Sequence, residues 1–265
     1  MKKIKLAVVG CAGRMGQQII KEIKKFSNII LVAAVEDKNS KFLNKKINKI
    51  KISSNKEEDF KNADVIIDFS LPKSTLETIK FAKKLKKKLV IGTTGLNKNQ
   101  LAKIKNESKN IAVVFAPNMS VGVNLLTSLT MKASKLLFNK SASVEVLDIH
   151  HKHKKDAPSG TALALGNAVA KGKNFNLKNI SSMKPNRFRK KQLGKINFYC
   201  KRKGNIVGNH SVIFSNKGEE IELTHRGFSR EIYALGAINA AIWLSKKKKG
   251  FFDMSDVLGI SLSFN

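Results

Sequence analysis

The chain reads Lys-Lys-Ile-Lys-Leu-Ala-Val-Val-Gly-Cys-Ala-Gly-Arg-Met-Gly from residue 2 to residue 16. A short apolar run is followed by three glycines, and an amphipathic stretch continues from Gln17 to Phe26. Glycine tolerates the backbone of a sharp turn, and apolar residues at helical spacing indicate a helix. The stretch therefore predicts a strand, a tight turn formed by Gly10, Gly13 and Gly16, and a helix.

The spacing of these glycines, G-x-x-G-x-x-G, is a variant of the dinucleotide-binding fingerprint. A second apolar run over residues 29–35 leads to Glu36, about twenty residues beyond the turn, where an acid accepts hydrogen bonds from ribose hydroxyls. An ordinary turn between a strand and a helix would account for the glycines alone, but Glu36 in register favours a cofactor site. Arg14 is placed to lie over a pyrophosphate. The predicted cofactor-binding residues here are Gly10, Cys11, Ala12, Gly13, Arg14, Met15 and Glu36.

The alternation of strands and helices continues along the first half of the chain. Strands are predicted over residues 64–70, 89–92 and 111–115, with helices over 74–87 and 97–108 between them. This order is typical of an α/β fold with a Rossmann-type, doubly wound parallel sheet, in which ligands bind at the carboxyl ends of the strands. Residues at those ends either line a nicotinamide ring or serve only as turn formers. They are Gly92, Thr93, Thr94, Ala116, Pro117, Asn118 and Met119.

A second motif begins where an alternating strand, residues 144–149, ends. It reads His-His-Lys-His-Lys-Lys-Asp-Ala-Pro-Ser-Gly-Thr-Ala over residues 150–162. Histidine and lysine suit proton transfer and the neutralisation of anionic charge. Pro158 and Ser159 predict a helix start, where Gly160 lets a carboxylate approach free backbone N–H groups and Thr161 adds a hydroxyl. The motif therefore predicts an anion site beside a His/Lys pair.

The same motif contains three histidines, a residue type that commonly binds metal ions. No cysteine lies near them in the sequence, however, and neighbouring residues at a strand end face opposite ways, so no metal is predicted. A solvated His/Lys loop remains the alternative when the motif is considered alone.

The second half of the chain predicts an α+β domain. Strands over residues 196–200, 210–214 and 220–225, with a hairpin turn at 216–218, indicate a mixed or antiparallel sheet. An amphipathic helix over residues 231–244 is expected to return to the first domain. The predicted division is 1–121 with 231–265 for dinucleotide binding, and 122–230 for substrate binding and oligomerisation.

Composition sets limits on these expectations. With 265 residues and 42 % hydrophobic content, the chain can build two modest domains. It has no apolar run of membrane-spanning length, and residues 1–3 lead directly into a strand instead of a signal peptide, so a cytoplasmic protein is expected. The two cysteines do not form a disulfide framework.

The formal net charge of +32 favours a different class, a nucleic-acid-binding protein. The excess charge is mostly lysine, it is spread over the whole chain, and aromatic residues are not interleaved with it. We therefore expect neither a nucleic acid nor a membrane as a specific partner.

Five segments, in order along nearly the whole chain, together resemble the 4-hydroxy-tetrahydrodipicolinate (dihydrodipicolinate) reductase family. They are residues 10–16, 68–70, 92–95, 118–124 and 150–162. The resemblance implies that NADH or NADPH reduces a cyclic dicarboxylate to tetrahydrodipicolinate in the diaminopimelate route to lysine. It also implies a homotetramer that pairs through the sheet of the second domain.

The resemblance also assigns roles to residues. His150 and Lys154 are implied as the catalytic pair, with Lys154 the favoured proton donor. The residues implied to hold the substrate carboxylates are His151, Ser159, Gly160 and Thr161. Family members that accept NADPH readily often carry a basic residue after the ribose-binding acid, whereas Asp37 follows Glu36 here, which favours NADH. Another two-domain Rossmann dehydrogenase of a small acid remains the alternative.

Overall fold

The structure is a computed structural model, and it describes residues 3–184 and 193–260. The chain forms two compact units. The first unit comprises Met1–Val121 and Arg230–Gly259, and the second comprises Gly122–Ser229 together with Ile260. The last five residues of the predicted dinucleotide domain, 261–265, lie outside the described residues.

The elements follow one another along the chain in three segments. The first segment contains β1 (Ile4–Val9), α1 (Arg14–Ile23), β2 (Ile29–Val35), β3 (Lys46–Ile47), β4 (Ile50–Ser53), α2 (Lys56–Lys61), β5 (Val65–Asp68), α3 (Pro72–Lys84), β6 (Lys88–Ile91), α4 (Lys98–Glu107) and β7 (Ala112–Phe115). The second contains α5 (Val121–Leu137), β8 (Ser143–His150), α6 (Gly160–Gly172), α7 (Leu177–Ile180), β9 (Ser181–Lys184), β10 (Ile196–Arg202), β11 (Gly208–Asn216) and β12 (Glu219–Gly227). The third contains α8 (Glu231–Leu244), β13 (Gly250–Phe252) and α9 (Met254–Leu258).

The first unit contains an eight-stranded sheet in the order β13-β7-β6-β5-β1-β2-β4-β3. All neighbouring pairs are parallel except β3 with β4. The chain proceeds from β1 towards β2 and β4, and then returns to the other side of β1 for β5, β6 and β7. This reversal places the switch point of a doubly wound sheet at the carboxyl ends of β1 and its neighbours, where such folds bind ligands.

Helices cover both faces of this sheet because the residues of its strands alternate between two cores. On β1, Leu6 and Val8 belong to the core formed with α1, α8 and α9, whereas Ala7 and Val9 belong to the core formed with α2, α3 and α4. The predicted Rossmann-type, doubly wound architecture is therefore confirmed.

The second unit contains a five-stranded mixed sheet in the order β12-β11-β8-β10-β9. Strand β8 pairs in parallel with β10 and antiparallel with β11. Val144 and Val146 of β8 share a buried core with Leu165 and Val169 of α6. Helix α6 therefore packs on one face of β8, and the predicted mixed sheet is confirmed.

Within the described part of the chain, no helix combines the length and the apolar character needed to cross a membrane. Both cysteines are free thiols.

Candidate active site

The turn after β1 depends on glycine at two points. Gly10 has a φ of +77°, and a Cβ there would lie 2.6 Å from the carbonyl oxygen of Phe69. A Cβ on Gly16 would lie 2.1 Å from the carbonyl oxygen of Gly10. The turn therefore brings β1, β5 and the start of α1 closer together than any side chain would allow.

This turn leaves the N-terminus of α1 open to an anion. The N-cap is Gly13 in an extended conformation, no side chain caps the helix, and the first turn contains no acidic residue. The exposed Arg14 begins the helix. Free N–H groups and the positive end of a helix dipole form an anion site, so the observed geometry fits a pyrophosphate.

The remaining residues of the turn are partly or fully buried. Cys11 is fully buried, and Ala12 and Met15 are partly buried. Burial, with the negative charge of Glu36, raises the pKa of the Cys11 thiol to about 12. The thiol therefore stays protonated at neutral pH and packs as a small apolar side chain.

Glu36 follows β2 and reaches the same turn. Its Oε1 atom accepts a hydrogen bond of 2.7 Å from the backbone N–H of Ala12. The next residue, Asp37, is exposed and accepts a hydrogen bond of 2.9 Å from the N–H of Asn39. Two carboxylates thus lie together at the carboxyl end of β2.

The predicted nicotinamide segments follow β6 and β7 directly. Thr93 is buried, and its hydroxyl accepts a hydrogen bond of 2.8 Å from Thr75. The side chain of Met119 is also buried in the core. The remaining positions are Gly92 and Ala116, which are buried, Asn118, which is partly buried, and Thr94 and Pro117, which are exposed. The segments lie at the predicted edge, but the side chains of Thr93 and Met119 pack inward.

Asp68, at the end of β5, is fully buried. Its Oδ1 atom accepts hydrogen bonds from the N–H of Ser70 at 2.9 Å and the hydroxyl of Ser70 at 2.5 Å. Burial raises the pKa of Asp68 above its usual value, although the Ser70 bonds oppose that shift. The carboxyl group therefore supports the turn between β5 and α3.

In the second unit, the period of β8 brings two functional side chains to the start of α6. Side chains two apart on a strand face the same side, so Asp148 and His150 continue the face on which Val144 and Val146 pack against α6. Ser159 caps α6 by accepting a hydrogen bond of 3.1 Å from the N–H of Ala162. The predicted serine cap is confirmed.

The predicted helix start at Pro158 and Ser159 falls on the cap and on the residue before it. Helix α6 begins at Gly160, and the N-cap Ser159 has extended backbone angles of φ −66° and ψ 160°. Since the cap residue itself lies outside the helix, Pro158 precedes the helix by two positions.

Asp148 is fully buried and lies at the centre of a network that joins three strands and α6. The Nδ1 atom of His150 lies 2.9 Å from its Oδ1 atom, and Nε2 of His210 lies 3.3 Å from the same oxygen. Ser159 donates to the carboxylate twice, through its N–H and its hydroxyl, each at 2.8 Å. Arg202 completes the set, with Nη2 3.1 Å from Oδ2.

Strand register accounts for the meeting of these side chains. His210 of β11 and Cys200 of β10 both stand opposite Asp148, and Arg202 stands opposite His150. The guanidinium of Arg202 also donates a 2.6 Å hydrogen bond to the carbonyl of Asp156. Arg202 therefore connects the buried carboxylate with the loop that precedes α6.

The charges of this network follow from its contacts. Burial by itself would raise the pKa of Asp148, but the contacts with the rings of His150 and His210 and the two hydrogen bonds from Ser159 hold that pKa well below its usual range. Burial lowers the pKa of His210, so this imidazole is neutral at pH 7. Burial and the negative charge of Asp148 raise the pKa of the Cys200 thiol to about 11.

The other predicted residues of the motif lie in the loop and first turn that follow β8. Lys154 is about one-fifth exposed, with its side chain 22 % accessible, and its Nζ atom lies 2.9 Å from Oδ1 of Asp156. His151 is partly buried, and its backbone N–H donates to the carbonyl of Ile206 at 2.7 Å. Gly160 is exposed with open space where a Cβ would lie, and Thr161 is partly buried. The loop thus presents the partly buried ammonium group of Lys154 and an accessible helix N-terminus.

One donor set among the described residues has the composition of a metal site. A carboxylate oxygen of Asp148 and ring nitrogens of His150 and His210 lie within 4.8 Å of one another. The guanidinium of Arg202 already contacts this carboxylate, and a cation there would meet its positive charge. The contacts therefore fit a hydrogen-bond network, and we assign no metal to it.

Two family patterns match the chain almost end to end. The pattern described as "Dihydrodipicolinate reductase, N-terminus" matches residues 4–119, and "Dihydrodipicolinate reductase, C-terminus" matches residues 122–258. The chain belongs to the dihydrodipicolinate reductase family. A 4-hydroxy-tetrahydrodipicolinate reductase from Pelagibacter ubique (strain HTCC1062) is 51 % identical over 259 residues, which cover 97 % of this chain and 99 % of the relative.

Solved structures show the same fold at lower identity. A dipicolinate-bound dihydrodipicolinate reductase from Paenisporosarcina sp. TG-14 has a TM-score of 0.80 at 22 % identity, covering 98 % of this chain and all of that one. An amine dehydrogenase from Mycobacterium smegmatis has a TM-score of 0.67 at 8 % identity, covering 100 % and 98 %. Because enzymes with other substrates share the fold, the fold alone does not assign the reaction.

Within this member of the reductase family, sequence reasoning missed three residues of the second-unit network: Asp148, Arg202 and His210. The position of Asp148 was predictable, since it lies two residues before His150 on the same strand. Arg202 and His210 come from β10 and β11, and their register with β8 carries no local sequence signal.

Proposed function

We propose that this chain reduces 4-hydroxy-tetrahydrodipicolinate to tetrahydrodipicolinate, with a nicotinamide dinucleotide as the reductant, in the biosynthesis of diaminopimelate and lysine. The observation that carries the proposal is the second-unit motif. His150 is held by Asp148, and Lys154 and the capped start of α6 follow in the same segment. The chain's membership of the reductase family supports the same reaction.

The glycine turn of the first unit would hold the dinucleotide. The open N-terminus of α1 would receive the pyrophosphate, with Arg14 beside it, and Glu36 would accept hydrogen bonds from the ribose hydroxyls. The segments 92–94 and 116–119 would border the nicotinamide. When bound, the dinucleotide supplies a hydride.

We propose NADH as the preferred cofactor. Glu36 and Asp37 are adjacent carboxylates at the end of β2, and both would repel the 2′-phosphate that distinguishes NADPH. The exposed Lys38 follows them and offsets part of this charge.

The start of α6 would hold the carboxylates of the substrate. The N–H groups of its first turn point out of the helix, Gly160 leaves room for close approach, and Thr161 and His151 add polar groups. The hydroxyl of Ser159 already donates to Asp148 and accepts from Ala162, so its part is to hold the first turn in place.

Lys154 would supply the proton during reduction. Its ammonium group donates a proton to the ring carbon next to the one that receives the hydride, so negative charge does not accumulate on the substrate. Asp156 pairs with Lys154 and orients the ammonium group. His150 stands at the end of β8, before the same loop, with its ring held by Asp148.

The test is the loss of nicotinamide absorbance in a coupled assay, with dihydrodipicolinate synthase supplying substrate and with NADH and NADPH compared in parallel. Lys154→Ala should lower kcat by about 10³-fold, as expected for loss of a general acid, while NADH binding changes less than about twofold. Lys155→Ala is the matched control, because Lys155 is an exposed neighbour in the same loop.

Three outcomes would contradict these assignments. If the wild-type protein binds dinucleotide but does not turn over, the substrate is wrong and another dehydrogenase reaction follows. If Lys154→Ala also abolishes NADH binding, the role given to Lys154 is wrong. A higher kcat/KM with NADPH than with NADH would overturn the role of Asp37.

Assembly as a homotetramer in the cytoplasm is part of the same proposal. Strand β12 is at one edge of the second sheet, and Ile221 on it is 41 % exposed. An apolar residue on a sheet edge suits pairing between subunits. Sedimentation velocity checks the mass, and a monomer at micromolar concentration would contradict this part.

A further inference from the structure

We infer that Asp148 is the positioning residue of the second-unit site, holding His150 in the tautomer with its proton on Nδ1 and Ser159 at the start of α6. This inference rests on the proposed function, because it assigns a task to a residue that does not itself react with the substrate.

Hydrogen-bond polarity around the carboxylate of Asp148 is uniform. Each of the following groups within contact distance of it can donate a hydrogen. On Oδ1 these are the hydroxyl of Ser159 and the ring nitrogens of His150 and His210, and on Oδ2 they are the N–H of Ser159 and the guanidinium of Arg202. A protonated acid or an amide of the same shape would turn an O–H or N–H hydrogen towards these donors, so an ionised carboxylate fits the set and its neutral analogues do not.

The contact with Asp148 determines which nitrogen of His150 carries the proton. The Nδ1 atom lies 2.9 Å from Oδ1 of Asp148, and the residue is 7 % exposed. The two atoms are not aligned as a hydrogen bond, but a nitrogen lone pair this close to a carboxylate oxygen would be repelled by it. We therefore assign the hydrogen to Nδ1, which leaves the lone pair of the neutral ring on Nε2. His150 therefore exchanges protons with a ligand through Nε2, on the side of the ring away from the carboxylate.

Gly208 lies next to the Nε2 side of the His150 ring, and its lack of a side chain leaves room for that ring. A Cβ on Gly208 would lie 3.0 Å from Nε2 of His150 and 3.2 Å from Cε1 of His210. The ring of His150 packs edge-to-face on that of His210, with centroids 5.0 Å apart. The absence of a side chain at position 208 leaves room for the His150 ring, and the His210 ring and Asp148 fix the orientation of that ring.

The same carboxylate is connected with the rest of the site. Asp148 holds the N-cap Ser159, and through Arg202 it reaches the carbonyl of Asp156, whose side chain pairs with Lys154. One buried charge therefore organises the imidazole, the helix N-terminus and the lysine loop.

The tautomer is tested directly in the wild-type protein. With ¹⁵N-histidine labelling, long-range ¹H–¹⁵N spectra distinguish the two ring nitrogens of the chain's five histidines, and His150→Gln identifies the His150 signals. We expect a protonated Nδ1 in the neutral form of His150. An Nε2–H tautomer would overturn the inference without any folding complication.

Kinetics tests the consequence. Asp148→Asn keeps the size but places an amide NH₂ against donors, so we expect kcat to fall about 100-fold, within the range that acid–base groups contribute. NADH affinity should change less than about twofold, and the Nδ1–H signal of His150 should be lost. Glu145→Gln is the matched control, because Glu145 is also a buried carboxylate on β8.

The outcomes separate this inference from the proposed reaction. A kcat for Asp148→Asn within about twofold of wild type, or an equal loss in Glu145→Gln, would overturn it while the reaction stands. Absence of turnover in the wild type would contradict the proposed reaction. The tautomer measurement would still show whether Asp148 keeps the proton of His150 on Nδ1. If Asp148→Asn does not fold, the wild-type spectra still show which nitrogen of His150 carries the proton, and so test the inference.

Discussion

Asp68 and Asp148 occupy similar places and behave in opposite ways. Each ends or nearly ends a strand inside its unit, each is 0 % exposed, and each accepts two hydrogen bonds from a serine that follows it in the chain. The pKa of Asp68 is raised, whereas that of Asp148 is held low.

The difference lies in the donors. Asp68 is surrounded mainly by hydroxyl groups, including those of Ser70 and Thr93, so burial dominates. Asp148 has a guanidinium and two imidazoles in addition to its serine. Burial alone therefore does not decide the direction in which the pKa of a carboxyl group shifts; the charged and N–H donors that reach the group can reverse it.

The largest expected difference between the two aspartates is in the stability lost when each is replaced by asparagine. Asp148→Asn should lower the free energy of unfolding by about 3–5 kcal/mol, because it removes a fully buried carboxylate and leaves the partly buried guanidinium of Arg202 without its ionic partner. Asp68→Asn should change it by less than about 1 kcal/mol, since an amide oxygen still accepts both Ser70 bonds. Urea unfolding of the two variants measures the contrast, and equal losses would refute it.

A smaller effect on stability is expected at two glycines, one that follows the strand next to Asp68 and one that lies against the imidazoles around Asp148. A Cβ on Gly92 would lie 2.2 Å from the ring of Phe69, so Gly92→Ala should destabilise the protein by about 1–3 kcal/mol through overpacking. Gly208→Ala, with its nearest contact at 3.0 Å, should cost less than about 1 kcal/mol but lower kcat several-fold by displacing His150. Thermal unfolding measures the loss of stability and the coupled assay measures the loss of kcat. A Gly208→Ala variant that loses more stability than Gly92→Ala but keeps its kcat would contradict the role of Gly208.

The smallest effect is the response to acid, and its sign differs between the two residues. The pKa of Asp148 is lower in the folded state, so its stabilisation is present above the unfolded value of about 4 and disappears as pH falls further, through the folded pKa. The pKa of Asp68 is raised, so its ionisation costs stability at neutral pH, and that cost vanishes on acidification. The gap in melting temperature between wild type and Asp148→Asn should therefore narrow below about pH 4. A gap that is constant from pH 7 to pH 2 would contradict the assignment.

Most of the first unit could be predicted because short stretches of sequence indicate its turn, strands and helices. Gly10, Gly13 and Gly16 mark the turn, and the alternation of apolar runs marks the strands and helices. The short elements β3, β4, α2, β13 and α9 were not predicted, because segments of two to six residues carry too little periodicity.

The second-unit site was predicted only in part. The motif at residues 150–162 gave the His/Lys pair and the serine cap. Arg202 and His210 join that motif through strand pairing between distant segments, and register depends on the packing of the whole sheet. The inward direction of Thr93 and Met119 likewise depends on packing.

The hydrogen bond from the N–H of Ala12 to Glu36 links the glycine turn to the end of β2 before any ligand arrives. A loop that is already ordered loses little conformational entropy on binding, so more of the contact energy appears as affinity. The same bond occupies one of the acceptor sites of Glu36, so a ribose must share that carboxylate with the backbone or displace it. The glycine turn is therefore ordered in advance for a dinucleotide, and the hydrogen bond that orders it uses part of the carboxylate that a ribose would contact.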